Sequence, residues 1–372
     1  MRKTGFYESL GNFKHFVPYP LPPQDPPLTL DAETTSLYGQ AMHQLGKLNE
    51  IVNILPDKNR FIKAYVTKEA LLSSAIEGIH TTLLEIYTQP LTGLKPNKNI
   101  QLVMNYTRAL HVAIEMIQKK DLPISTRVLL KTHKVLMEGG EGEKANPGNY
   151  RKQPVRVGNL IPPPAAEISN LMSDLEKFIN TNETFPMLIK AGLAHIQFET
   201  IHPFLDGNGR IGRLLIVLML IENKILSEPI LYPSYYFKKH HLEYYQKLDR
   251  VRTEGDFEGW IKFYLTAIRD TAIDAYQRAK DIEKLRKQLM QIILEDKKFI
   301  KSRDIRLEAL NILFSSPIIN IREMSLQLGT SYNTANKIIS DFLELDFLVK
   351  ETKQKRGKLF RFKKYWDILD RE

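Results

Sequence analysis

Cysteine is absent from the 372 residues. That excludes a disulfide framework and thiolate chemistry, and a reducing compartment, the cytoplasm, is the expected location. Long apolar runs are also missing. The longest, Leu214 to Ile221, falls far short of the roughly 20 residues that span a bilayer, so no membrane contact is expected. The opening stretch MRKTGFYESLGNF has two basic residues and no apolar segment behind them, so a secretory leader is not expected either. Long-range repeats and low-complexity tracts are lacking, which leaves ordinary globular domains, one large or two to three of usual size.

What is present is a hydrophobic share of 43%, enough for a sizeable core, and a net charge of +10 with pI ≈ 9.3. Such a balance favours polyanionic partners and says nothing about fold. Residues 1–30 are Pro-rich (PYPLPPQDPP from Pro18 to Pro27) and read as an extended arm lying on its own domain or offered to another protein. Helical spacing follows over Asp31 to Leu55, with Asp31 or Thr34 as cap, and over Asn59 to Ile76, ending at Gly78. Glu77 sits at that C-terminus, beside the negative end of the helix dipole. It is either a solvated surface group or waits for a cation.

Helices are expected over Lys98–Lys119, Ser125–Met137, Ile168–Asn180, Met187–Phe198, His240–Arg252 and Phe257–Lys280, the last passing into a charged stretch, and over Leu214–Asn223, which is apolar on every side and belongs in the middle of a core. A Gly-rich loop spans Gly139 to Gly148. Gln153 to Leu160 (QPVRVGNL) alternates around a glycine and predicts a small β-hairpin, a lid, a docking edge or a connector. The tail differs. A helix at Asp304–Phe314, a helix-turn-helix over 321–345 and two strands around a basic tip within Phe347–Phe362 have the sequence shape of a winged helix. Eight of the residues from Val349 to Lys364 are Lys or Arg. They suit phosphate contact with DNA, or the solvated wing of a protein-interaction module.

The chemistry concentrates in Ile201 to Leu214, IHPFLDGNGRIGRL. Gly207-Asn208-Gly209 at the head of an apolar helix forms a backbone cradle for phosphate. Arg210 and Arg213 add multi-donor charge. Asp206 is a hard oxygen ligand, and magnesium on a polyphosphate needs only one or two carboxylates. His202 at the loop mouth suits a base that takes a proton from an attacking hydroxyl. Together these imply hydroxyl attack on a phosphate of a magnesium-bound nucleotide. His195 reads as a packing histidine, and the adjacent His240 and His241 point to different faces and make poor metal ligands. Tyr244 and Tyr245 serve equally as core aromatics or as contacts to a base.

HPFLDGNGR followed by IGR resembles the Fic (filamentation induced by cAMP) family signature HxFx(D/E)GNGRxxR. The resemblance covers roughly residues 15–280 and includes KEALLSSAIEGIHTT, LYPSYYF and YYQKLDRVRTEGDFEGWIKFYL. It implies a mainly α fold: an N-terminal arm and inhibitory helix segment (1–95), a helical catalytic core with a small β-hairpin flap (96–285) and a winged-helix domain (286–372). It implies a protein adenylyltransferase that moves AMP from ATP to a Tyr, Thr or Ser hydroxyl of a target protein, the chain itself among the candidates. His202 would be the base, Asp206 the Mg2+ ligand, Gly207, Asn208 and Gly209 the phosphate cradle, and Arg210 and Arg213 the clamp on the polyphosphate. Val155, Arg156, Val157 and Gly158 would pin the target by strand addition. Tyr244 and Tyr245 would lie near adenine.

Ser73, Glu77 and Gly78 match the family's inhibitory pattern (S/T)xxxE(G/N), which implies that Glu77 pairs with Arg213 and holds the enzyme in check. Gly209, where phosphorylating relatives carry lysine, favours AMP transfer. Transfer from another nucleotide, removal of AMP, a homodimer and a DNA-binding regulator acting through the tail are the other readings the sequence permits.

Overall fold

The structure is a computed structural model that describes residues 2–54, 58–139, 144–181, 185–351 and 357–371. The chain is mainly helical, with two small sheets. Its helices are α1 (Ala32–Ile54), α2 (Lys58–Ile76), α3 (Leu83–Thr92), α4 (Lys98–Gln118), α5 (Thr126–Leu136), α6 (Ile168–Asn180), α7 (Met187–Ile201), α8 (Asn208–Glu222), α9 (Ser234–Lys239), α10 (His241–Glu254) and α11 (Phe257–Glu295). Among the described residues no helix is long and apolar enough to cross a membrane.

Helices α7 and α8 form the centre. The run Leu214–Ile221 is apolar on every side, and such a helix is stable only when surrounded. Every residue from Asn208 to Ile221 is buried, and so is every residue of α7 from Leu188 onward. Around this pair pack α2, α4, α5, α6 and α11. Trp260 of α11 donates its indole N–H to Gly192 O of α7 at 2.8 Å, which fixes the two helices in register. Helix α1 lies along α11, capped by Asp31, whose carboxylate accepts from Thr34 N at 2.8 Å and from Lys262 at 2.7 Å.

Three expectations need correction. The extended N-terminal arm begins as a hairpin, β1 (Gly5–Leu10) with β2 (Phe13–Pro18), antiparallel in the register Gly5↔Pro18 to Leu10↔Phe13. Phe16 and Val17 are buried, and Phe16 N donates to Ile161 O at 2.9 Å. Prolines dominate only from Pro18 on, where pairing stops. The hairpin expected over 153–160 shrinks to one bridge, Val157–Leu160, whose two backbone bonds are each 2.9 Å long. Pro154 and Pro162 to Pro164 lack N–H donors on both sides of the turn, so no ladder extends from it. The charged stretch after Lys280 stays helical: α11 is 39 residues long and reaches Glu295, so the boundary expected at 285 falls inside it.

Helix α3 was missed. Its signal was a capping box: Glu85 N donates to Thr82 Oγ1 at 3.1 Å, and Thr82 N donates to Glu85 Oε2 at 2.8 Å. It packs against the C-terminal part through a small cluster of Leu83, Ile318 and Trp366. That part runs α12 (Arg303–Ser315), β3 (Ile318–Ile319), α13 (Ile321–Gln327), α14 (Tyr332–Glu344), β4 (Leu348–Lys350), β5 (Phe360–Phe362) and α15 (Lys363–Asp370). Its sheet has the antiparallel order β3-β5-β4. The basic tip at 352–356 and residues 140–143 of the Gly-rich loop lie outside the described residues.

Candidate active site

The α7–α8 connection is built by positive-φ residues at both ends. His202 closes α7 with φ 50° and ψ 60°, and Gly207 opens α8 with φ 82°. A left-handed conformation is cheap for glycine and costly for histidine, so His202 holds local strain that the surrounding contacts must enforce. Several contacts do so. Arg151, 2% exposed, donates from Nε to His202 O at 2.8 Å and from Nη2 to Pro163 O at 2.6 Å, and its backbone N–H reaches Pro203 O at 2.9 Å. Asn208 braces the loop from within: Phe204 N donates to its Oδ1 and its Nδ2 donates to Phe204 O, both at 2.8 Å. The Asn208 amide is therefore committed to the loop, and only its backbone N–H faces outward duty.

His133 was not singled out from the sequence. Gly148 N donates to its Nδ1 at 2.9 Å, so Nε2 carries the proton and donates to Asp206 O at 3.0 Å. Its ring stacks on Phe204 at 3.7 Å between centroids. Burial pushes it down to about 4 despite the Asp206 carbonyl. A buried imidazole and a buried arginine thus hold the loop from two sides. Neither belongs to a local sequence pattern, since each lies some 50 or more residues from its partner.

His202 is half-buried. Its Nδ1–H points at Glu199 O, a long 3.4 Å contact, and Nε2 has no hydrogen-bond partner among the described residues. Burial pushes it down to about 4, against the smaller opposing pull of the Glu199 carbonyl and the Glu77 charge. The ring is neutral at neutral pH and able to accept a proton. Its 15N resonances are expected to hold the neutral, Nδ1-protonated pattern as pH falls from about 7 to about 5; a titration near the ordinary histidine value would contradict this environment. The linkage has a definite sign. The unfolded chain takes up this proton near pH ~6.5, so the stability owed to the neutral ring is complete above that value and lost as pH falls toward 4.

Arg210 is fully buried at the head of α8. One nitrogen, Nη2, reaches Asp206 Oδ1 at 3.3 Å and Met137 Sδ at 3.5 Å. Its Nε and Nη1 have no partner among the described residues. A buried guanidinium with two unmet donors is costly unless an acceptor arrives. The Asp206 side chain is 61% exposed and accepts from Gly207 N at 2.6 Å. Among the described residues no three His, Asp or Glu converge on a metal site. A lone exposed carboxylate fits a cation delivered on a polyphosphate, which brings the remaining oxygens itself.

Arg213, 1% exposed, donates from Nε to Ser73 Oγ at 2.9 Å and from Nη2 to Ser73 O and to Glu77 Oε1, each at 2.8 Å. Burial alone would weaken its charge, but Glu77, with Tyr244 and Glu199 adding to it, holds it above the usual arginine range. Glu77 lies just beyond α2, with Gly78 at φ 76°. Its carboxylate also presses on the first turn of α8, where a Cβ on Gly209 would come within 2.2 Å of Oε1. Ser73, Glu77, Arg213 and Gly209 are thus one cluster.

Beneath them lie two carboxylates that sequence reasoning passed over. Glu69 accepts from Tyr106 Oη at 3.2 Å and from Ser234, and burial raises it to about 7. Glu199 is raised to about 7 by the same cause, and its Oε1 has no partner among the described residues.

The remaining expected residues sit apart from this cluster. Val155 and Val157 are half-buried, with Arg156 and Gly158 exposed, on the turn clamped by Arg151 and β2. Tyr244 is a core residue, 1% exposed, with its hydroxyl 2.8 Å from His195 Nε2. The Tyr244 side chain is thereby withdrawn from the role of base contact. Tyr245 is the exposed member of the pair, at 37%.

A helical core with a left-handed His, a Gly-opened buried helix and two buried arginines one turn apart defines the class of this site by its architecture. The comparisons give that class its family. Residues 123–220 match the Fic/DOC family and residues 35–115 its N-terminal region. The chain thus carries a Fic/DOC domain preceded by that family's N-terminal region. It is 31% identical over 168 residues, 45% of its length, to the protein adenylyltransferase Fic of Culex quinquefasciatus, and 30% identical over 179 residues, 48% of its length, to that of Drosophila melanogaster. It spans about a third of the length of these curated relatives, 31% and 33% respectively. Among solved structures, a Fic family protein from Desulfovibrio desulfuricans matches 91% of this chain and 98% of its own, with TM-score 0.57 and 22% identity. Fic-1 from C. elegans matches 68% of this chain and 74% of its own at TM-score 0.54 and 19% identity. The fold is shared with both.

Proposed function

We propose that the protein is a protein adenylyltransferase that transfers AMP from ATP to a hydroxyl of a target protein, and that Glu77 restrains it. The observation that carries the reading is Arg210, buried with two unmet donors under the Gly207–Gly209 turn. An anion of several oxygens supplies what that guanidinium lacks, and the N-terminus of α8 adds free backbone N–H groups and a favourable dipole.

The roles follow from position. Gly207 makes the left-handed turn and holds Asp206 through its N–H, Asn208 and Gly209 offer backbone N–H groups to the phosphates, and Arg210 neutralises them. Asp206 would hold Mg2+, which supplies charge compensation to the polyphosphate when bound. His202 Nε2, bare and uncharged, accepts the proton of a Ser, Thr or Tyr hydroxyl as its oxygen approaches the α-phosphorus, and pyrophosphate leaves. The exposed turn at Arg156–Gly158, held by Arg151, is a docking edge for the target backbone. Arg213 binds the far end of the triphosphate once Glu77 releases it. Titratable Glu199 sits below His202 and Arg213, with its free oxygen available to the same network. For residues 303–370, the order of helices and strands supports the winged-helix reading and, with it, contact with DNA or with another protein.

The test uses ATP labelled at the α- or the γ-phosphate, with magnesium and cell lysate. Protein is expected to take label from the α-position only. Label from γ alone would indicate phosphoryl transfer and overturn the reading, as would absence of label in both the target pool and the chain itself.

A further inference from the structure

A second cationic site lies on the opposite flank of α2 from Glu77's partner Arg213, and no motif residue lines it. A cavity of about 460 Å3 opens between α2, α9 and the end of α15. Its charged lining is Lys68, Lys238, Lys239 and Arg371 against a single carboxylate, Asp370. Its apolar wall is Leu71, Leu72, Leu83 and Tyr235.

Lys68 is the unusual member. It is only 9% exposed, yet no carboxylate pairs with it among the described residues. Its ammonium donates to two backbone carbonyls, Leu369 O at 3.2 Å and Arg371 O at 3.0 Å. It also lies 5.7 Å from the Tyr232 ring centroid and 5.6 Å from that of Tyr235. Nearby Asp274 is already engaged by Arg278 at 2.6 Å and by the Tyr232 hydroxyl. A buried cation without a counter-charge is costly. The burial of Lys68 accordingly pulls it down to about 7, with Arg278 adding to the effect.

Lys238 and Lys239, in the last turn of α9, are exposed, and neither makes an ion pair among the described residues. Arg371 by contrast spends its guanidinium on Asp281 at 3.1 Å. The cavity therefore combines one buried and two exposed lysines, none in an ion pair among the described residues, with an aliphatic and aromatic wall. Its volume falls in the range of small-molecule sites, roughly 300–1,000 Å3.

We propose that this cavity binds a small phosphomonoester whose phosphate meets Lys68, Lys238 and Lys239 and whose apolar or aromatic body lies on Leu71, Leu72 and Tyr235. The phosphate supplies the direct ionic partner that Lys68 lacks among the described residues, and the wall accounts for selectivity over free inorganic phosphate. Lys68, Leu71 and Leu72 precede Ser73 on the same helix, and Ser73 holds Arg213 through its hydroxyl and carbonyl. Occupancy draws Lys68 from the carbonyls of Leu369 and Arg371, so it bears directly on how α2 is anchored to the C-terminus. The site goes beyond the adenylyltransferase reading, and its test reads binding, not transfer.

The probe is 1-naphthyl phosphate, followed by equilibrium dialysis against the full chain, with inorganic phosphate and 1-naphthol as the two halves of the ligand. One saturable site is expected, bound more tightly than either half. Lys238→Ala/Lys239→Ala, which alters only exposed side chains, is expected to weaken it by about tenfold or more. Lys68→Met is expected to do the same, with circular dichroism confirming that the chain is folded. Arg210→Ala is expected to leave this binding unchanged. The proposal is overturned if no saturable binding appears or if the lysine variants bind as wild type. It is equally overturned if Arg210→Ala abolishes binding, which places the probe in the motif, or if 1-naphthol binds as well as its phosphate.

Discussion

Glu77→Gly is expected to raise AMP transfer by about 5- to 150-fold, the range of coupling free energies of 1–3 kcal/mol. Two features of the geometry argue for it. Glu77 holds Arg213 at 2.8 Å, and its carboxylate lies against Gly209 at the positive end of α8. The carboxylate thus occupies ground that an incoming polyphosphate needs and engages the arginine that would clamp it. Removing it does not strip Arg213 bare, because Ser73 Oγ and Ser73 O remain as acceptors at 2.9 and 2.8 Å. Nor does a glycine there break α2, which ends at Ile76.

Glu77→Gln separates the causes. It keeps the bulk near Gly209 and loses the charge, so a gain close to that of the glycine variant assigns the brake to electrostatics. A gain seen only with glycine assigns it to occupied space. A transfer rate equal to wild type in both variants, measured with α-labelled ATP, would remove Glu77 from regulation altogether.

His202→Ala, made in the Glu77→Gly background so that losses are measurable, is expected to lower the transfer rate by about 10²- to 10⁴-fold. The affinity for ATP should change little. His202 stands at the loop mouth with a neutral ring, while the phosphate contacts belong to α8 and Arg210. The informative quantity is the split between turnover and nucleotide dissociation constant. A loss of ATP binding with unchanged turnover would place His202 in binding and leave the hydroxyl without its base. Alanine also relieves little of the strain at φ 50°, since it too carries a Cβ, so the loop held by Arg151 and Asn208 should persist.

The core and the motif were legible for different reasons. The all-round apolar run after Arg213 can only be a central helix, and α8 is buried along its length. Histidine, carboxylate, glycines and arginines within the 12 residues from His202 to Arg213 stand close through local spacing, because a loop and one helical turn suffice to bring them together. Helix ends were also legible where side chains cap them, as Asp31 does for α1. The errors came where pairing with distant chain decides. The alternation in QPVRVGNL is real, but flanking prolines leave no donors for a ladder, so only one bridge survives. The N-terminal hairpin exists because Phe16 and Val17 find a buried seat beside Ile161, a contact of high sequence separation.

Taken alone, then, the sequence determined the central helix, the glycine turn that opens it and the cation to be sought for Glu77. Those properties rest on hydrophobic periodicity and on groups a few residues apart. Only the tertiary structure decided that His133 and Arg151 clamp the α7–α8 loop, that Tyr244 belongs to the core and Tyr245 to the surface, and that Glu69 and Glu199 are buried carboxylates shifted to about 7. It alone brought Lys68 beside the chain's last residues. Burial and long-range hydrogen bonding set each of these, and neither quantity exists until the helices have packed.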